Sequence, residues 1–298
     1  MPSHDQQLSA HSSIKITFYT AFALFAFAGN SILCRLALGE RAIDAASFSA
    51  IRVLSGVIVL AFIMKLCRNP RLESSKGSWK ASFMLFIYAL TFSYAYISLE
   101  TGVGALILFG SVQITMVLAG LFLGHKLHYI EWGGLIVAFS GFVYLVMPGV
   151  SAPSLMGFIL MSCSGVAWGG YTLAGKGSLN PLSDTYYNFL RAVPWVIILM
   201  IITIQNSIMS WEGVLLAILS GGIASGIGYA IWYMALRGLS SINAAVVQLL
   251  VPVIAAIGGV IFANELLSLR TLLASIIIMG GVFAVILGKH FYEITTLK

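Results

Sequence analysis

The sequence predicts an all-α polytopic membrane protein, with ten transmembrane helices arranged as two inverted five-helix repeats. Three observations carry that expectation. Hydrophobic residues make up 59% of the 298-residue chain and charged residues 9%, with a mean hydropathy of +0.98; soluble domains run about 45–50% apolar and about 25% charged. Apolar runs of bilayer length recur along the whole chain. Short motifs of the first half return in the same order in the second.

A hydrocarbon core about 30 Å thick takes about 20 apolar residues in a helix. Ten such spans fit, at 14–38, 44–66, 79–99, 102–123, 130–147, 154–175, 183–205, 211–236, 240–262 and 266–288. The first follows a polar start, MPSHDQQLSAHS, and has no short apolar core with a small-residue cleavage site, so it reads as a retained helix. The breaks carry turn chemistry: NPRLESSKGS (69–78), MPGVSAPS (147–154) and KGSLNPLSD (176–184).

Basic residues in short loops set orientation. With a cytoplasmic N-terminus the inner side collects Lys15, Lys65, Arg68, Arg71, Lys76, Lys80, Lys126, Lys176, Arg237, Lys289 and Lys298, against Arg41, Arg270 and Arg35 outside. Both termini are therefore expected in the cytoplasm. Trp79, Trp132 and Trp211 each open a span, as interfacial belt residues do. Tyr94, Tyr96, Trp232 and Tyr233, near span ends, read the same way.

The PGVSAPS linker divides the chain into units 1–149 and 150–298, five spans each. An odd number per unit forces the second to lie upside down relative to the first. SFSAIRV (47–53) matches YYNFLRA (186–192), each with an arginine early in its span, and YAYISLETGV (94–103) matches IWYMALRGLS (231–240), with Glu100 and Arg237 at equivalent ends. WGGLIVAFSGFVYLV (132–146) matches TLLASIIIMGGVFAVIL (271–287). Inverted repeats frame many secondary transporters, with the substrate site near the midplane where the halves meet.

These residues resemble the EamA repeat of the drug/metabolite transporter superfamily. The stretch 251–287 carries its signature: Pro252 in the ninth span, the pair Asn264–Glu265, and Gly280–Gly281 in the tenth. The first repeat departs from it, with Lys126 where the glutamate falls and no proline in span four. Within the superfamily the chain looks most like the YddG-type exporters of aromatic and other amino acids. The resemblance implies a bacterial inner-membrane exporter of aromatic, hydrophobic or neutral amino acids working by alternating access. Multidrug and sugar-phosphate or nucleotide-sugar carriers are its alternatives within the superfamily.

Other classes fit poorly. Cys34, Cys67 and Cys163 are scattered singly and suggest neither disulfides nor a metal site. No nucleophile stands with a base as an enzyme requires, and no cofactor is implied. His125 and His128 sit in a basic loop, where a metal role is disfavoured. The net charge of +6 belongs to inner loops, not to a nucleic-acid surface. The expected partners are a small-molecule substrate and membrane lipid; the oligomeric state stays open and is compatible with a monomer.

Candidate substrate residues are the polar and aromatic groups at span centres: Asn30, Tyr88, Thr91, Gln113, Trp168, Tyr171 and Gln248. An amide both donates and accepts, which suits a zwitterion, and rings stack on an aromatic substrate. Helix–helix glue and ordinary packing are the competing readings of each. Gly165 and Gly169, like Gly222 and Gly226, read as close helix packing. Pro252, four residues after Gln248, predicts a kink. Glu100 and Arg237 stand at span ends as gating candidates.

Arg52 and Arg191 have two readings, as ligands for a carboxylate or phosphate, or as structural and gating residues that snorkel toward the nearer interface. The second is preferred, with Arg52 near the outer face and Arg191 near the inner. No carboxylate occupies a span centre, so uniport rather than proton coupling is expected.

Overall fold

The computed structural model describes residues 4–66, 76–122, 127–149, 152–175, 178–236, 238–239 and 241–296. Among them the chain forms ten helical spans. These are α1 (His4–Gly39), α2 (Ala45–Leu66), α3 (Trp79–Tyr96), α4 (Thr101–Phe122), α5 (Tyr129–Val146), α6 (Leu155–Ala174), α7 (Pro181–Thr203), α8 (Trp211–Leu236), α9 (Ser241–Gln248 and Leu250–Phe262) and α10 (Leu269–Thr296). Seven of them are long and apolar enough to cross a membrane by length and composition. Of the others, α3 and α6 turn serine, tyrosine and glycine inward: Ser82, Tyr88, Ser93 and Tyr96 from one, Ser164, Gly165 and Tyr171 from the other. Their low hydropathy reflects a place in the middle of the bundle, where they pack on each other.

The ninth span is broken. Pro252 has no N–H to return to the carbonyl of residue 248, and the first piece of α9 ends at Gln248. The second resumes at Leu250. Inside α8, Leu219–Ile227 (LSGGIASGI) is π-helical; the Gly228 N–H reaches the Ile223 carbonyl five residues back. That ring size brings residues five apart onto one face. Gly221 and Gly226 thus both face α2, where a Cβ on Gly221 would fall 2.0 Å from the Arg52 carbonyl oxygen.

Helix packing has a numerical pattern. Helices α2 and α7, α4 and α9, and α5 and α10 each pack on the helix five further along. The contacts α3–α6, α4–α6 and α3–α7 return, with five added or subtracted, as α8–α1, α9–α1 and α8–α2. The ends of α2 and α7 repeat it in detail. Asp44, before α2, accepts from the Ile208 N–H at 3.0 Å in the α7–α8 connection. Asp184, in the first turn of α7, accepts from the Gly77 N–H at 2.7 Å in the α2–α3 connection. Ile43 and Met209 add a backbone bridge to the first of these clamps. The α5–α10 contact runs through glycines, a Cβ on either Gly134 or Gly281 falling 2.6 Å from the other's carbonyl oxygen.

Two aromatic residues read as belt lie inside the bundle. Tyr96 is fully buried and Trp232 is 8% exposed; the first donates to the Thr101 carbonyl at 3.2 Å and the second packs edge-on to Phe27. Both sit at helix ends that turn inward. Trp79, Trp132 and Trp211 are exposed.

Substituting Gly221→Ala forces the π segment off α2 and is expected to destabilise the protein by about 1–3 kcal/mol, the range for overpacking. Gly280, with open space around its Cβ position, is the control: Gly280→Ala leaves the melting point unchanged or raised. Thermal unfolding in detergent compares them.

Candidate functional site

At mid-depth, α1, α3, α4, α6 and α8 surround a cavity lined by Phe27, Asn30, Ser31, Tyr88, Trp168 and Tyr229 among others. Asn30 accepts from Ser220 at 2.5 Å and donates to the Tyr88 hydroxyl at 3.4 Å. Tyr88, in turn, accepts from Arg52 Nη2 at 2.8 Å. Trp168 packs against Tyr88 and Tyr229, ring centres 4.7 Å and 5.0 Å apart and planes tilted by 44° and 43°. The cavity measures about 20 Å³, room for a water. A metabolite enters only when helices part.

Arg52 is 2% exposed. Its guanidinium lies 5.1 Å from the Tyr88 ring centre and 4.8 Å from that of Phe92, and Nε faces the Ser225 hydroxyl at 3.4 Å. It does not snorkel. The helix α8 packs so tightly across Arg52 that the side chain turns inward onto the rings of α3. Arg191 is different: it donates to the Lys76 carbonyl and lies 5.7 Å from the Trp79 ring centre, pinning the α2–α3 connection to α7. The two arginines that match in sequence do not meet in space.

The end of the bundle that carries the α3–α4 and α9–α10 connections is held by Glu265. Its carboxylate takes Arg35 Nε at 2.9 Å and the Thr101 N–H at 2.8 Å and 3.0 Å from its two oxygens, the start of α4, where the helix dipole favours a negative charge. Arg35 also donates to the Tyr96 carbonyl at 3.3 Å. Asn264, with φ of 52°, turns the chain just past the end of α9, and asparagine is among the few residues that adopt this left-handed conformation. The Asn–Glu pair thus has a division of labour: one residue makes the turn, the other ties α9–α10 to α1 and α4.

The remaining sequence candidates fall in several places. Tyr171 is buried beside the cavity, stacked at 5.4 Å on Trp168 and set against Thr185 and Asn188 of α7. Thr91 donates to the Ile87 carbonyl of its own helix. Gln113, 6% exposed, lines a separate apolar cavity with Val117, Leu135, Ala138 and Val282. Gln248 stands half-buried at the α9 break. Arg237 and His125 lie outside the described residues. His128 caps α5, its N–H donating to Glu131 at 2.8 Å.

Glu100, exposed in the α3–α4 connection, has a carboxyl pushed above its usual range by partial burial and by the nearby Glu265 carboxylate, with Arg35 opposing. Sequence reasoning passed over Tyr229, Ser220 and Ser225. The signal available was two serines five apart in a glycine-rich span, the spacing that a π-helix brings onto one face.

The fold and the polar cluster at its centre define a multi-pass membrane transporter. Residues 155–287 match the EamA-like transporter family. The chain is 46% identical to an uncharacterized protein of Pseudomonas aeruginosa over 88% of its own length and 91% of the relative's. It is 28% identical to an uncharacterized transporter of Archaeoglobus fulgidus (68% and 74% covered). A "Probable amino-acid metabolite efflux pump" of Escherichia coli is 21% identical (70% and 78% covered). One solved crystal structure aligns over 91% of this chain and 98% of its own with a TM-score of 0.60 and 16% identity, a likeness of fold. The second half of the chain is thus an EamA-like transporter unit, and the protein is a membrane transporter rather than an enzyme.

Two predictions concern the Glu265 end of the bundle. Glu265→Gln removes charge-assisted bonds worth about 1.5–3 kcal/mol each in general, and a melting-point loss that Arg35→Ala does not add to identifies one coupled latch. Glu100→Gln raises stability at neutral pH. The raised pKa means that ionisation of Glu100 costs more in the folded state, so the native protein loses stability as pH rises past 4.5, the unperturbed value. Melting points of the two proteins should coincide near pH 3.5 and separate by pH 7.

Proposed function

We propose that this protein exports aromatic, hydrophobic and other neutral amino acids across a bacterial inner membrane, with both termini in the cytoplasm. The observation that carries the reading is the central cluster of Asn30, Tyr88, Trp168 and Tyr229, which joins ring faces to amide and hydroxyl groups at a cavity between helices of both halves. The Escherichia coli relative, a probable amino-acid metabolite efflux pump, supports amino acids as the broad substrate class. Units 1–149 and 150–298 are inverted repeats in this reading, supported by the packing pattern that survives a shift of five helices and by the paired Asp44 and Asp184 clamps.

Transport is alternating access by rocking of the two units. Arg35–Glu265 closes the outer end, while Asp184, Asn188 and Arg191 tie the inner end to the α2–α3 connection. Among the described residues no carboxylate lines the cavity, which favours uniport. The same cavity disfavours a lipophilic-cation exporter, since its nearest charge is the Arg52 guanidinium. A sugar-phosphate carrier calls for several cations at one site, and Arg191 is elsewhere.

Purified protein in liposomes preloaded with tryptophan or phenylalanine should accumulate the labelled amino acid by counterflow, with and without a pH gradient. Trp168→Ala is expected to lower that uptake about 10-fold or more, the loss of a stacking contact plus burial. Absent counterflow of both amino acids would overturn the substrate class; a strict pH-gradient requirement would overturn uniport.

A further inference from the structure

Arg52 is a buried cation without a buried anion. Among the described residues the one ion pair is Arg35–Glu265, and Arg52 is left with two hydroxyls, from Tyr88 and Ser225, and two ring faces. Its Nη1 has no hydrogen-bond partner. Arginine cannot shed its proton to escape this burden, and an isolated buried charge is among the costliest features a fold can carry. Retaining one needs a return outside stability.

We infer that Arg52 anchors the carboxylate of the substrate, with the unpartnered Nη1 as the donor held ready for it. This rests on the reading of the central cavity as the transport site and specifies what that site recognises. The guanidinium lies against Tyr88 and Phe92, and both line the cavity. Ser225, which faces Nε, adjoins Ala224, another lining residue. Tyr88 fixes Nη2 on one side, so the planar fork is oriented before substrate arrives. A carboxylate fits that fork in a way that an amide or amine does not.

The rest of the cavity divides the remaining labour. Trp168 and Tyr229 offer ring faces to an apolar or aromatic body. Asn30 Oδ1, which already accepts from Ser220, is a neutral acceptor at the cavity wall for an ammonium. Recognition is therefore strong at the carboxylate and weak at the amine. An aryl carboxylate lacking the amine should bind about as well as the amino acid, and the amino acid amide should not.

The test uses the full chain, purified and reconstituted, with L-tryptophan, indole-3-propionate, L-tryptophanamide and tryptamine as probes. Thermal stabilisation of the purified protein and competition against labelled tryptophan counterflow are measured with each. Indole-3-propionate should match tryptophan within a few-fold, and the amide and amine should be about 10-fold weaker or worse, the worth of one charge-assisted bond. Arg52→Lys should keep the order of preference with weaker binding, and Arg52→Gln should erase it, so that acid and amide become equal. Equal protection by tryptophan and tryptophanamide in the unaltered protein overturns the inference and leaves amino-acid export standing. Stabilisation by indole-3-propionate without tryptophan counterflow does the reverse. The ligand comparison on the unaltered protein decides the matter even where Arg52→Gln fails to fold.

Discussion

A guanidinium held away from both water and lipid sets the terms for the centre of this molecule. Arg52 lies about 11 Å along α2 from its first residue at 1.5 Å per residue, and its side chain turns into the bundle. Every neighbour answers that charge. Tyr88 and Phe92 supply ring faces from α3, a cation–π arrangement that gains strength when desolvated. Ser225 comes from α8, and it reaches Arg52 because the π segment puts it on the same face as Ser220. Ser220 then holds Asn30 of α1. One buried charge on α2 thus recruits three other helices, and each contributes a polar group that lipid would not tolerate.

The same economy of polar groups governs the ends. A span leaves unpaired N–H groups at its start, and where helix ends pack against one another carboxylates are placed to satisfy several groups at once. Glu265 serves the start of α4 and Arg35 together. Asp44 serves the start of α2 and the α7–α8 connection, and Asp184 the α2–α3 connection and the Ser178 hydroxyl ahead of α7. These groups cross between the first five helices and the last five. If the two units rock as proposed, these are the contacts that the motion breaks; they are charge-assisted but few, which suits a gate better than a permanent seam.

How far the sequence discloses this depends on what is encoded along one helix and what needs two. Span positions were legible because bilayer thickness fixes their length, and the break in α9 because Pro252 names the carbonyl it deprives. The family followed from Pro252, Asn264 and Glu265, although the reason for the asparagine, a left-handed turn, appears only with its φ angle. Asn30, Tyr88 and Trp168 stood out as polar or aromatic groups in apolar runs. The direction of Arg52 did not, since distance along a helix says nothing about which way a long side chain bends. Tyr96 and Trp232 looked interfacial by position, yet the neighbouring helices turn them inward. Ser220 and Ser225 escaped notice because in an α-helix they fall on different faces; only the wider π turn unites them.

The size of the central cavity links these features to transport. With room for a single water, the form described here is contracted, and admitting an aromatic ring means separating helices that now touch. The backbone can yield most cheaply where regular hydrogen bonding is already lost. Those places are the π segment of α8 and the break in α9 at Leu249. Both helices pack on α1, which carries Asn30 to the cavity and Arg35 to the Glu265 latch. A shift of α1 against α8 and α9 would open the binding cluster and strain the Arg35–Glu265 pair in one movement, coupling occupancy of the site to the state of the gate through a single helix.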